Sequence, residues 1–261
     1  MRNNIQKLAE IITNSNKCTV LTGAGVSTLS GLPDFRGPDG IYKDPDSARM
    51  FDLDLFLKDP AFFSAKAGEL VYSLHKSIPS LVHTVLAKME EAGYIHSVVT
   101  QNIDMLHQKA GSKRVLELHG SPKVHTCIGC NKRFMYKEVS LHAEIGLPFY
   151  CTVCGKPVKP DITFFGESLP DEVFSQAQDE ILSSDLLLVL GTSLTVYPAA
   201  ALPEIAFRNG CRVIVVNSGA TSADGYAYMR FTDLYGVFKE LQEILLENSE
   251  NSANKAPGEN M

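Results

Sequence analysis

The sequence predicts an α/β fold: a parallel sheet covered by helices on both faces, interrupted by a small metal-bound module. Three observations lead there. Short apolar runs alternate with stretches of helical periodicity, the pattern of strands buried on both sides. Polar and glycine-bearing motifs stand just after those runs, where the loops of such a sheet gather. Two cysteine pairs, Cys127-x-x-Cys130 and Cys151-x-x-Cys154, flank the twenty residues 131–150.

The elements follow in order. Ile5, Leu8, Ile11 and Ile12 have helical spacing, and Cys18-Thr-Val-Leu-Thr22 reads as a buried strand. Phe51, Leu53, Leu55, Phe56, Phe62 and Phe63 mark a helical satellite, their aromatic cluster expected as core. Helical periodicity runs over 79–92 and stops near Gly93. His96-Ser-Val-Val-Thr100 is a second strand, 104–110 a short helix and Val115-Leu-Glu-Leu118 a third strand. After the cysteine module, at about 121–158, strand character is expected to resume at Ile162-Thr-Phe-Phe165. A helix from about Pro170 leads to the apolar strand Leu186-Leu-Leu-Val-Leu190. A helix over about 198–208, the strand Val213-Ile-Val-Val216 and an amphipathic helix over 237–246 complete the pattern. The tail 249–261, rich in Asn, Ser and Glu, is expected to be disordered and dispensable for activity.

Composition narrows the function classes. The chain has 261 residues, 44% hydrophobic, no tryptophan and a net charge of -6. That supports one substantial core with a small satellite. An acidic chain argues against a general nucleic-acid binder, though not against a basic protein tail as partner. No apolar run reaches the ~18 residues that span a membrane, and the N-terminus lacks a signal-peptide core, so a cytoplasmic protein is expected. Cys18 and Cys211 lie beside apolar strands and are expected as buried free thiols.

The spacing of the other four cysteines is that of a zinc site. Each pair makes a tight turn aiming two sulfurs at one metal. Four thiolates fill a tetrahedron and leave no position for a bound water, so the metal is read as structural. Unrelated buried or redox cysteines are the alternative.

Five motifs carry the expected chemistry. Gly23-Ala-Gly25-Val-Ser27 follows the first strand, where glycines let backbone approach a pyrophosphate. Thr28 stands where a hydride-enzyme fingerprint has its third glycine, and no acidic residue closes the second strand to hold a ribose. By itself the motif also fits a tight turn. Gly31-Leu-Pro-Asp-Phe-Arg-Gly37 brings Phe35 and Arg36 on a loop suited to closing over an anion, or is a solvated turn with one buried Phe. Thr100-Gln-Asn-Ile-Asp104 offers donors and acceptors for a carboxamide and ribose hydroxyls, and Asn102 or Asp104 also suits a helix cap. His119, between Leu118 and Gly120, ends a strand and suits general-base work. Gly191-Thr-Ser193 and Asn217-Ser218 supply small polar groups after two further strands.

In this order, with Phe165-Gly-Glu167 and Gly191-Thr-Ser-Leu194, these motifs resemble the sirtuins, NAD-dependent protein lysine deacylases, over about residues 5–246. The resemblance implies a Rossmann-like domain, at about 1–36, 77–120 and 159–248, within a catalytic domain covering 1–248. The small domain then combines a helical insertion at about 37–76 with the zinc module. Acetyl groups on lysine would be removed at the expense of NAD, giving nicotinamide, O-acetyl-ADP-ribose and free lysine. The acyl oxygen would attack C1′ of the nicotinamide ribose, forming an alkylimidate. His119 would then act as general base on the ribose hydroxyls. Asn102 and Asp104 would orient ribose and nicotinamide, Ile103 would press on the carboxamide pocket and Phe35 would shield the reacting centre.

Further NAD contacts fall on Gly23, Ala24, Gly25, Ser27, Thr28, Arg36 and Gln101, with Gly191, Thr192, Ser193, Asn217, Ser218, Asp233 and Leu234 on the adenosine side. The acyl-lysine tunnel would use Phe35, Thr163 and Phe165. Gly166, Glu167, Val196 and Tyr197 would run antiparallel to the peptide. One structural zinc would sit on Cys127, Cys130, Cys151 and Cys154. Acetylated-lysine proteins or peptides are the expected partners of a monomer, without nucleic acid or membrane. Thr163 stands where many members carry Val, which bears on acyl preference. Residues 63–72 lack the Tyr-x-x-Arg pair used for acidic acyl groups, so neutral groups are expected, acetyl first. An ADP-ribosyltransferase, or a deacylase of longer neutral chains, is the alternative.

Overall fold

The structure, a computed structural model, describes residues 2–37 and 40–247. The expectation for the tail at 249–261 lies outside the described residues. Six parallel strands form the main sheet: β1 (Cys18–Thr22), β2 (Ser97–Thr100), β3 (Val115–Glu117), β7 (Leu186–Leu190), β8 (Arg212–Val216) and β9 (Met229–Phe231). Between β3 and β7 the chain builds an antiparallel three-stranded sheet from β4 (Gly120–Cys127), β5 (Arg133–Met135) and β6 (Val158–Ile162). The helices, in chain order, are α1 (Arg2–Thr13), α2 (Gly25–Thr28), α3 (Pro45–Arg49), α4 (Leu53–Lys58), α5 (Pro60–Leu70), α6 (Leu81–Glu91), α7 (Leu106–Ala110), α8 (Tyr136–Glu144), α9 (Asp171–Leu182), α10 (Leu202–Arg208) and α11 (Leu234–Leu241). None of the described helices is long and apolar enough to cross a membrane.

The apolar strands are continuous because both faces are covered. Along β7, Leu186, Leu188 and Leu190 pack toward α1, α6 and α11, whereas Leu187 and Val189 pack toward α9 and α10. The same alternation separates Val20 from Leu21 and Ile214 from Val215. Each such side chain taken out of water contributes about 1.5–3 kcal/mol, so β7 anchors the sheet from its centre. A third core joins the helical segment to the cysteine module. Phe164 sits among Phe51, Phe56 and Phe63 at ring separations of 5.7, 5.7 and 5.3 Å.

Several elements differ from the sequence reading. The strand expected at 162–165 ends at Ile162 and pairs with β4 rather than joining the parallel sheet. Residues 163–165 leave it because Phe164 inserts into the small-domain core. β9 was not anticipated: three residues are too few to show a period of two. The helix over 198–208 opens as a 3₁₀ turn at Ala199–Ala201 before α10. The last helix begins at Leu234, where the Asp233 carboxylate accepts the Gly236 N–H at 3.0 Å, and continues as a π-helix over Gln242–Glu247. Cys18 and Cys211 are buried free thiols, as their apolar surroundings indicated.

Candidate active site

The sheet order is β3-β2-β1-β7-β8-β9, so the direction of winding reverses between β1 and β7. Loops leaving the carboxyl ends of these two strands diverge there and open a crevice. Glycine makes the junction possible. A Cβ on Gly23 would lie 2.7 Å from Thr192 Cβ, and one on Gly25 would lie 2.7 Å from Gly191 Cα. The Gly25 N–H donates to the Gly191 carbonyl at 2.8 Å, so the two loops pack backbone to backbone. Gly191 has φ +58°, a conformation most residues resist.

The crevice opens into a cleft of about 860 Å³ that reaches the antiparallel sheet. From the β1 loop it receives Gly23, Ala24, Gly25 and Thr28, and from the next loop Phe35 and Arg36. The β2 loop supplies Gln101, Asn102 and Ile103, and the end of the third strand supplies His119. Thr163, Phe165, Gly166 and Glu167 face it from the segment after β6. Gly191, Thr192, Ser193, Val196 and Tyr197 line it after β7; Asn217, Ser218, Asp233 and Leu234 complete the far side. Ser27 and Asp104 do not line it. They stand behind the wall, where the Ser27 hydroxyl donates to Asp104 Oδ2 at 2.6 Å.

That buried pair holds Asn102. Its amide nitrogen donates to the Gly23 carbonyl at 3.0 Å and to Ser27 Oγ at 3.2 Å. Asp104 Oδ1 accepts the Leu106 N–H at 2.9 Å, but the N-cap of α7 is Met105, so neither Asn102 nor Asp104 takes the cap position expected of them. Gln101 reaches across the crevice, its Nε2 donating to Thr192 Oγ1 at 3.0 Å. The glycine loop, the 100–104 motif and the β7 loop are therefore one hydrogen-bonded unit.

His119 is placed by Gly120. At φ +69°, a Cβ on Gly120 would sit 2.1 Å from the Asp161 carbonyl oxygen, so only glycine lets the chain turn from the parallel sheet into β4. The imidazole Nδ1 lies 2.7 Å from the Gln101 carbonyl oxygen. A carbonyl only accepts, so Nδ1 carries the proton and Nε2 is the free base. Burial lowers the His119 pKa, partly opposed by that hydrogen bond. The neutral base form therefore persists at pH values where an ordinary histidine is charged.

Tyr42 and Phe51 are among the cleft residues that the sequence reading did not assign to the site. Tyr42 lies between Phe35 at 5.3 Å and Phe165 at 6.3 Å, with the Arg36 guanidinium over its ring at 5.0 Å. Phe51, read as core, belongs to the core and also lines the cleft. Their only signal was aromatic character close to the Phe35 loop.

The four cysteines converge. Their sulfurs all lie within 4.8 Å of one another, Cys127 and Cys154 at 3.3 Å and Cys130 and Cys151 at 3.6 Å. These separations are far beyond a disulfide bond and close to the ~3.8 Å edge of a tetrahedron with zinc–sulfur bonds of about 2.3 Å. The two turns are built alike. Gly129 N–H donates to Cys127 Sγ at 3.3 Å, and Val153 N–H to Cys151 Sγ at 3.4 Å. Asn131 and Gly155, just after the second cysteine of each pair, both take positive φ. The residues fit one four-thiolate zinc, held between β4 and β6 away from the cleft.

Comparison with known proteins agrees with this geometry. The profile described as "Sir2 family" matches residues 23–198. An NAD-dependent protein deacetylase of Thermotoga maritima is 42% identical over 227 residues, 87% of this chain and 92% of its own. NAD-dependent protein deacylase 2 of Archaeoglobus fulgidus is 40% identical over 225 residues, 86% and 88% of the two chains. A solved Sir2 structure with a p53 peptide and NAD+ superposes with a TM-score of 0.85 at 37% identity, covering 94% of this chain and 99% of its own. Another, with a deacetylated p53 peptide and 3′-O-acetyl-ADP-ribose, gives a TM-score of 0.87 at 40% identity, covering 92% and 97%. With the glycine crevice, the histidine at its floor and the four-cysteine cluster in one fold, the chain belongs to the Sir2 family, the sirtuins.

Proposed function

We propose that this protein removes acetyl groups from protein lysines with NAD as co-substrate, giving nicotinamide, O-acetyl-ADP-ribose and free lysine. The observation that carries the reading is His119: its Nδ1 is committed to the Gln101 carbonyl, and its free nitrogen belongs to a cleft shared by both glycine loops and the 163–167 segment. That cleft has the groups a dinucleotide needs, namely close-packed glycines, Arg36 and the amides of Gln101 and Asn102. It also has an apolar cluster of Phe35, Phe51 and Phe165, suited to an acyl-lysine stem.

In this arrangement His119 takes a proton from a ribose hydroxyl, and its fixed tautomer keeps the accepting nitrogen ready. Asn102 holds the ribose, steadied from behind by Ser27 and Asp104. Phe35 and Tyr42 exclude water from the reacting centre. The acyl oxygen is a weak nucleophile, so the gain from holding it in line is large. Zinc supplies stability to the small domain and takes no part in the chemistry.

The test is mass spectrometry of an acetyl-lysine peptide incubated with protein and NAD, beside His119→Ala. NAD-dependent loss of acetyl with O-acetyl-ADP-ribose, absent in the variant, supports the reading. NAD cleavage with the peptide left acetylated overturns it in favour of ADP-ribosyl transfer or another acyl group.

A further inference from the structure

Lys159 in β6 is an ammonium group removed from solvent: its side chain is 11% exposed. Its three protons meet three oxygens. Nζ donates to the Ile162 carbonyl at 2.6 Å and the Pro160 carbonyl at 3.1 Å, and lies 2.9 Å from Glu167 Oε2. The Phe164 ring covers the remaining side at 4.3 Å. Every donor is satisfied, which is the condition for burying a charge. Burial pulls the Lys159 pKa down, and the Glu167 carboxylate works against that.

The groups it joins are the two ends of one segment. Ile162 begins it and Glu167 closes it; Thr163, Phe165 and Gly166 lie between and line the cleft. Glu167 Oε2 also accepts the Phe164 N–H at 2.7 Å, and the Glu167 N–H returns to the Phe164 carbonyl at 3.0 Å. Thr163 N–H donates to the His119 carbonyl at 2.9 Å, which ties the segment to the base. Without the ammonium, Glu167 would lose its counter-charge and the Ile162 carbonyl its partner.

We infer that Lys159 is a positioning residue for substrate peptide: through Glu167 and the Ile162 carbonyl it sets the shape of the 163–167 wall. This rests on the proposed function, in which that wall receives the acyl-lysine peptide. Lys159 does not line the cleft, so its effect should fall on peptide and spare NAD.

The experiment measures acetyl-lysine peptide binding by calorimetry, KM for peptide and for NAD, zinc content and Tm. It uses the full chain and Lys159→Met, Lys159→Arg, Glu167→Gln and the double variant Lys159→Met/Glu167→Gln. A lost charged hydrogen bond predicts a peptide KM raised about tenfold in Lys159→Met. NAD KM at saturating peptide should stay within about twofold, as expected of a group that touches only the peptide wall. Lys159→Arg should recover part of the loss by keeping the charge. The double variant should be no worse than Lys159→Met, because both act through one contact. An unchanged peptide KM in both Lys159→Met and Glu167→Gln overturns the inference, as do additive losses, or peptide and NAD KM rising together with falling Tm. A full-length wild-type protein that binds no acetylated peptide overturns the proposed function, and this inference with it. Wild-type binding matched by Lys159→Met overturns the inference alone.

Discussion

His119 Nδ1 lies 2.7 Å from the carbonyl oxygen of Gln101, a contact that decides which imidazole nitrogen is the base. The proposed reaction needs this nitrogen unprotonated, and burial keeps the His119 pKa below its ordinary 6.5. The sign is fixed: the base form exists above the folded pKa, so activity is lost only as pH falls through that lowered value. The acid limb of kcat/KM should therefore lie below pH 6.5. A limb at or above that value would refute the assignment of the limb to a buried His119.

Removing zinc should disable catalysis through structure. β6 leads from the Cys151–Cys154 turn directly into the 163–167 wall, so loosening the turn moves the cleft. Cys130→Ser should lose bound metal, lower Tm and abolish most activity, because site formation and folding share their free energy. Full activity in a metal-free protein would sink this account.

The proposed acyl wall is apolar, formed by the cleft residues Phe35, Phe51 and Phe165 beside Thr163. A succinyl carboxylate there would be desolvated without a paired Arg: residues 63–72 carry none, and their Lys66 pairs with Asp44 at 3.1 Å. Acetyl peptide should be preferred over succinyl peptide by about a hundredfold in kcat/KM, equal to roughly 2.7 kcal/mol. Comparable rates on the two would show that a cation reaches the tunnel.

Asp104 acts from behind the cleft. Asp104→Ala removes the acceptor for Ser27 and for the Leu106 N–H, and Asn102 loses its support. We expect about a tenfold loss in kcat/KM for NAD, the cost of one charged hydrogen bond, with peptide affinity retained. An unaltered NAD dependence would mean that Asn102 is held without Asp104.

Three buried histidines should weaken the fold in acid. Burial lowers the pKa of His83 to about 4, of His107 to about 3 and of His125 to about 4, against 6.5 for the free group. His83 Nε2, His107 Nδ1 and His125 Nδ1 have no partner that would welcome a proton. The unfolded chain binds protons first as pH falls below 6.5, so stability is full above that value and declines down to the folded pKa values. Calorimetry should give a Tm that is level near neutrality and falls between about pH 6.5 and 4. A level Tm across that window would contradict it.

The strands were readable because they are sealed on both faces. Leu186–Leu190 is apolar throughout, whereas β9 spans three residues and Thr163–Phe165 mimics a strand while serving the small-domain core. The cysteine pairs and the glycines were readable for a related reason. Thiolate chemistry and close backbone approach each admit one residue type, so the requirement is written into identity.

The sequence by itself determined the α/β class, the four-thiolate module and the set of strand-end motifs, because each follows from local pattern. Only the tertiary structure decided the division of labour among those motifs. It placed Ser27 and Asp104 behind Asn102 rather than in the cleft, brought Tyr42 between Phe35 and Phe165, and set Lys159 beneath the 163–167 wall. Those relations depend on which side of a wall an atom stands and which partner lies within about 3 Å, as hydrogen bonds require. Distance of that kind arises when remote segments pack together, and no local spacing encodes it.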